Sequence, residues 1–149
     1  MEFQKMKDLR IVPPEELPRT CGLSTMLEKQ KELNESIYPI VLKNLRLSNL
    51  EELENYSIEE IISKHKESLT KEYLLAIIRE ACEALDMINS KSWKTTKKEV
   101  DEIELKYEII DVQHFVNSLY DIWKMDRNEI MGIFMAKYQE NKRRVENGY

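Results

Sequence analysis

Glycine and proline are scarce in this sequence of 149 residues, three of one and four of the other. Three of the prolines, Pro13, Pro14 and Pro18, crowd into the start of the chain. A chain so poor in turn-formers beyond its first segment has little with which to build hairpins, and no paired-strand pattern occurs. Cysteine is nearly absent too. Cys21 and Cys82 lie too far apart for a C-x-x-C metal spacing and read as free thiols of a reducing, cytoplasmic compartment rather than as a disulfide. No apolar run approaches the roughly 20 residues of a membrane span, and the first residues lack the apolar core of a signal peptide, so neither membrane nor secretion is expected. Excess positive charge is also missing. The net charge is −5 with the signs interspersed, which argues against binding nucleic acid through its phosphate backbone.

What the chain has is Leu, Glu, Lys and Ile in helix-forming proportion, over a length suited to one compact domain. Residues 1–22 read as an irregular N-terminal arm whose Leu9, Ile11 and Val12 can be buried against the domain or a partner. Residues 23–149 read as a single all-α domain, a bundle of about five to six helices. Ser24 is the expected cap of the first helix, with Met26, Leu27, Leu33, Ile37, Ile40, Val41 and Leu45 as its apolar stripe and Pro39 as a break or kink. Ser57 and Glu60 form a capping-box pattern that opens a short helix through His65. Thr70 opens the next, with Tyr73, Leu74, Ile77, Ile78, Ala81, Ala84, Leu85 and Ile88 facing inward. After a polar stretch over 89–98, a long helix runs from about Lys98 to Trp123. Asp126 and Glu129 then suggest a second capping box, opening the last helix.

Two of these helices carry acids at a telling spacing. Glu80 and Glu83 are three apart and so neighbours on one helical face, and Glu108 and Asp111 repeat the arrangement on the next long helix. Packed antiparallel, the two helices would bring four carboxylates together, which repel one another unless a cation sits among them. An all-oxygen donor set suits Mg²⁺, with Mn²⁺ as the alternative. Spacing alone does not decide the matter, because E-x-x-E and E-x-x-D are common on solvated helix faces. A di-iron carboxylate centre fits less well. It uses Glu-x-x-His on two helices, whereas only His114 stands in such a place.

The run Glu80-x-x-Glu83, then Lys91-x-Trp93-Lys94, then Glu108-x-x-Asp111-x-x-His114-Phe115 resembles the core of the dimeric all-α dUTPases, within the MazG-like all-α nucleoside triphosphate pyrophosphatases. Upstream, Met26 to Asn34 is similar to that family's first-helix motif, with Gln30 and Asn34 at its polar positions. Downstream, Lys137, Asn141, Arg144, Gly148 and Tyr149 follow its terminal pattern of basic and amide residues. Tyr138, Ser90 and Val145 depart from it, at positions that bear on base choice and phosphate grip.

The resemblance implies a homodimer that completes its helix bundle by dimerisation and hydrolyses dUTP to dUMP and pyrophosphate with Mg²⁺. It implies that Glu80, Glu83, Glu108 and Asp111 bind metal, with Glu80 also the general base for water. Gln30, Asn34 and Trp93 would bind the base. Lys91, Lys94, Lys137, Asn141, Arg144 and Tyr149 would bind phosphates, and His114 and Asn117 would support the site from behind the metal ligands. Two other readings stand beside it. One is a MazG-like pyrophosphatase acting on dCTP or non-standard nucleotides. The other is a non-catalytic helical interaction module, which long amphipathic helices also suit.

Overall fold

A computed structural model describes residues 14–16 and 22–148. Most of the expected N-terminal arm, Cys21 and Tyr149 therefore lie outside the described residues; within the arm, Pro14–Glu16 forms one 3-10 turn. Among the described residues there are four long helices, one short helix and no strand.

Helix α1, Leu23–Asn44, starts on Gly22 rather than Ser24. Gly22 has φ of 151°, which side-chain-bearing residues rarely adopt, and so it supplies a sharp entry without a side-chain cap. The helix runs straight through Pro39. An interior proline costs about 3 kcal/mol. Against this stands a buried face of Gln30, Asn34, Tyr38 and Leu42 at four-residue intervals, which only an unbroken helix keeps aligned. That face also differs from the expected stripe, since Met26, Leu33 and Ile40 are exposed.

Helix α2, Leu50–Asn55, opens on a capping box between Asn49 and Glu52. Helix α3, Ile58–Met87, opens on the expected box, with Glu60 Oε2 accepting from the Ser57 amide at 2.8 Å and Ser57 Oγ accepting from the Glu60 amide at 3.3 Å. The expected boundary at His65 appears as a kink, where φ −112° and ψ 17° leave the helical range and a second helical stretch continues in a new direction. Thr70 consequently lies inside α3 and starts nothing; its hydroxyl donates to the Lys66 carbonyl at 2.6 Å. Helix α4, Glu102–Ile122, is capped by Asp101 and begins four residues later than Lys98. Helix α5, Arg127–Glu146, begins at Asp126, whose carboxylate accepts from the Asn128 and Glu129 amides.

Helix α3 packs mainly along α4. The direction follows from the ends: the Trp123 indole donates to Thr70 Oγ1 at 2.8 Å, while the side chains of Glu80 and Glu108 approach one another further along. The pair is therefore antiparallel. Helix α1 lies against α4 in parallel, joined in step by Gln30 with His114, Asn34 with Ser118, and Tyr38 with Asp121. Between the three helices sits a core of Tyr38, Leu42, Ile61, Ile62, Leu69, Tyr73 and Ile122.

Large apolar side chains remain uncovered. Of the inner face expected after Thr70, Tyr73 is buried but Leu74, Ile78, Leu85 and Ile88 are exposed. On α5 only Ile130 is buried, and Met131, Ile133, Phe134, Met135 and Tyr138 face outward. No described helix is long and apolar enough to cross a membrane.

Candidate active site

The antiparallel packing of α3 on α4 sets the C-terminal part of the first beside the N-terminal part of the second. Residues three apart share a helical face, so the packing turns two sequence pairs into one cluster. Carboxylate oxygens of Glu80, Glu83 and Glu108 all lie within 4.8 Å of one another. Asp111 stands one turn beyond Glu108, and its charge acts on both Glu80 and Glu108.

Glu108 is 3% exposed, and its Oε2 is buried with no hydrogen-bond partner. A buried carboxylate oxygen left unpaired is costly. Burial first, then the charges of Glu83, Asp111, Glu80 and Glu104, push the Glu108 carboxyl above its ordinary value of 4.5. Glu80 is raised in the same way, by burial, then by Glu83 and Asp111, with Arg79 opposing. Three close carboxylates, one with an orphaned oxygen, form a site that a hard divalent cation fits, because it would satisfy the oxygen and neutralise the repulsion.

A cavity of about 620 Å³ adjoins the acids, and Glu80 and Asp111 line it together with Gln30, Asn34, Tyr73, His114, Phe115 and Ser118. Its size suits a small-molecule ligand. Gln30 and Asn34 do not form a solvated face. Both are buried, Asn34 to 1% exposure. Gln30 Nε2 donates to Asn34 Oδ1 at 2.9 Å, and Gln30 Oε1 lies 2.7 Å from His114 Nδ1. Asn34 Nδ2 donates to Tyr38 Oη at 2.9 Å and to Asp121 Oδ2 at 2.8 Å. The Tyr38 hydroxyl donates to that same Asp121 oxygen at 2.7 Å. Burial, together with the bond to Asp121, holds the Tyr38 phenol protonated far above its usual range. Tyr73, stacked edge-on to Tyr38 and tilted against Phe115, is pushed up to about 12 by burial and the charge of Asp121.

The other candidate residues fall elsewhere. Lys91, Trp93 and Lys94 sit on the loop between α3 and α4, which bounds a separate cleft of about 900 Å³ that none of the four acids lines. Asn89 holds that loop closed by exchanging hydrogen bonds with the Lys98 backbone, amide to Oδ1 and Nδ2 to carbonyl, both at 3.0 Å. Trp93 is 77% exposed. Lys137, Asn141 and Arg144 lie on the exposed outer surface of α5, where Arg144 pairs with Glu140 at 3.0 Å. Asn117 is buried and accepts from Gln113 Nε2 at 2.7 Å. Cys82 is a free, exposed thiol beside Glu83.

Sequence reasoning passed over Tyr38, Ser118 and Asp121, which complete the polar network behind the cavity. The signal that points to Tyr38 is the four-residue spacing of Gln30, Asn34, Tyr38 and Leu42. A hydropathy stripe overlooks it because two of its members are amides.

The site is thus a carboxylate cluster between two helices, beside a cavity whose wall includes two buried amides, an arrangement that fits a divalent cation and a small polar ligand. The dUTPase family model matches residues 22–121, more than half of the chain and every element that builds the cluster. The chain belongs to the dimeric all-α dUTPase family of nucleotide pyrophosphohydrolases, which use a divalent metal. It is also similar to the dCTP pyrophosphatase of Enterobacteria phage T4, 35% identical over 49 residues. That stretch covers 33% of this chain and 29% of the phage protein. No solved structure matches the chain.

Proposed function

We propose that the protein is a dUTP diphosphatase, cleaving dUTP to dUMP and pyrophosphate at the Glu80, Glu83, Glu108 and Asp111 cluster. The observation that carries this reading is the orphaned Glu108 oxygen among three other acids, two of which, Glu80 and Asp111, line a cavity together with Gln30. The four carboxylates would hold Mg²⁺ or Mn²⁺, which when bound neutralises phosphate charge and acidifies water.

The remaining work falls to side chains. Glu80, made more basic by burial and then by its acidic neighbours, accepts a proton from the attacking water. The water oxygen forms a new bond to phosphorus at the α–β bridge, and the bridging P–O bond breaks to release pyrophosphate. Gln30 reads the pyrimidine edge from the cavity, and Trp93, which lines a separate cleft in the free protein, stacks on the base once its loop has moved towards the acids. Lys91 and Lys94 neutralise phosphate charge, as do Lys137 and Arg144 once the terminal segment has closed on the substrate, while Asn141 and Tyr149 donate hydrogen bonds to phosphate oxygens. His114 fixes Gln30, and Asn117 steadies α4 beneath the acids.

A homodimer fits this reading. Leu74, Ile78 and Leu85 on α3, Ile109 and Ile110 on α4, and Phe134 on α5 are too many exposed large apolar side chains for a lone domain of this size. A second copy laid over them would finish the bundle.

The phage relative favours a second reading, in which the base is cytosine. The purified protein, incubated with Mg²⁺ and each of dUTP, dCTP, dATP, dGTP and dTTP, distinguishes them. Highest kcat/KM on dUTP, with dUMP and pyrophosphate as products, is the expected result. Preference for dCTP would move the assignment to the second reading, and no turnover of any nucleotide would remove both.

A further inference from the structure

The bonds behind the cavity have a direction, and only one member sets it. Carboxylates accept and cannot donate, whereas amides can be turned end for end with little change of shape. Asp121 is therefore the fixed point. Its Oδ2 takes hydrogens from both the Tyr38 hydroxyl and Asn34 Nδ2, so the amino end of Asn34 must face it. Asn34 Oδ1 must then face Gln30, whose Nε2 supplies the hydrogen. Ser118 Oγ lies 3.1 Å from both Asn34 Oδ1 and the His114 carbonyl, so its single hydrogen is compatible with this orientation without fixing it. Gln30 Oε1 is thereby turned to His114 Nδ1, which donates to it.

The count of donors and acceptors gives Asn34 no spare donor. Both its N–H groups are committed, to Tyr38 and Asp121, and its oxygen accepts from Gln30, with the Ser118 hydroxyl shared between that oxygen and the His114 carbonyl. Gln30 commits one N–H and one lone pair, and retains one of each at the cavity wall. Ring positions 4 and 3 present acceptor then donor in uracil, but donor then acceptor in cytosine. An amide held in one direction fits one order and opposes the other; an amide free to turn fits both.

The geometry points to Asp121 as a specificity-determining positioning residue: acting through Asn34, it fixes which way round Gln30 offers its amide, and so which pyrimidine the site accepts. This rests on the nucleotide reading above, and it removes Asn34 from direct contact with the base.

Asp121→Asn tests it, because the new amide can either accept or donate and the direction of the network is no longer imposed. Two readouts are needed. In the first, kcat/KM is measured for dUTP and dCTP. The preference of the wild type should fall about tenfold or more towards equality, through KM, with kcat on the better substrate little changed. In the second, ¹⁵N NMR reads the tautomer of the neutral His114 ring without substrate. The wild type should be protonated at Nδ1, and the variant should become a mixture. Asp121→Glu, which keeps an acceptor-only group, should retain the wild-type tautomer and much of the preference. An unchanged His114 tautomer in folded Asp121→Asn overturns the proposal, whatever the activity. So does an unchanged dUTP-to-dCTP ratio. A wild type inactive on both nucleotides removes the proposed function instead, and the tautomer still decides whether Asp121 directs the network.

Discussion

Glu108→Gln removes a charge from the molecule and almost nothing else. Glu108 is 3% exposed, its Oε2 has no hydrogen-bond partner, and Glu80, Glu83 and Asp111 all act on it with like charge. In metal-free protein the neutral amide should therefore stabilise the fold by about 1–3 kcal/mol, the range for an uncompensated buried polar group. For a chain of this size that raises Tm by about 2–4 °C per kcal/mol. The pH dependence carries the sign. Burial and like charge raise the folded-state value above the ordinary 4.5, so the folded chain holds this proton where the unfolded chain has lost it. The wild type then loses stability as pH rises from about 4.5 through the raised value. The advantage of the variant should be absent below that window and complete above it. Differential scanning fluorimetry with EDTA, across this pH range, measures it. Adding Mg²⁺ should reverse the order, raising the Tm of the wild type much more than that of the variant. A variant less stable than wild type at neutral pH without metal would refute the reasoning, since Glu108 would then be held by a partner.

Three further outcomes are expected. Leu69 is fully buried where α3 meets the core, and Leu69→Ala should cost about 2–5 kcal/mol in a urea melt without altering which nucleotide is preferred. Sedimentation should give the mass of a dimer, and Ile78→Lys, which charges the exposed apolar face of α3, should shift it towards the monomer; a wild type sedimenting as monomer would remove the homodimer. Residues 137–148 should become resistant to trypsin when a non-hydrolysable dUTP analogue and Mg²⁺ are added, and unchanged cleavage would count against closure of the terminal segment.

The helices were legible where local chemistry fixes them. Ser57 and Asp126 mark helix starts because a side-chain oxygen there meets the free backbone amides of the first turn. The two acid pairs were legible too, since three-residue spacing puts each on one face of any helix. Where helices continue was harder to read. Pro39 looks like a break locally, yet α1 continues past it because its buried face needs an unbroken helix, whereas the expected boundary at His65 is present as a non-helical kink. The link from Asn34 to Asp121 joins residues 87 apart in sequence, and its meaning emerges only when α1 lies parallel to α4. The exposed stripe on α3 reads as core from its periodicity alone, because hydropathy does not say whether the rest of the chain folds over it.

The most direct test follows the phosphorus atoms of the substrate. In ³¹P NMR of dUTP with Mg²⁺ and the wild-type protein, the three triphosphate signals should be replaced by those of dUMP and pyrophosphate in equal amounts. EDTA or Glu80→Gln should suppress the change. Release of orthophosphate with dUDP would contradict cleavage at the α–β bridge, and turnover undiminished in Glu80→Gln or Glu108→Gln would contradict catalysis at the carboxylate cluster.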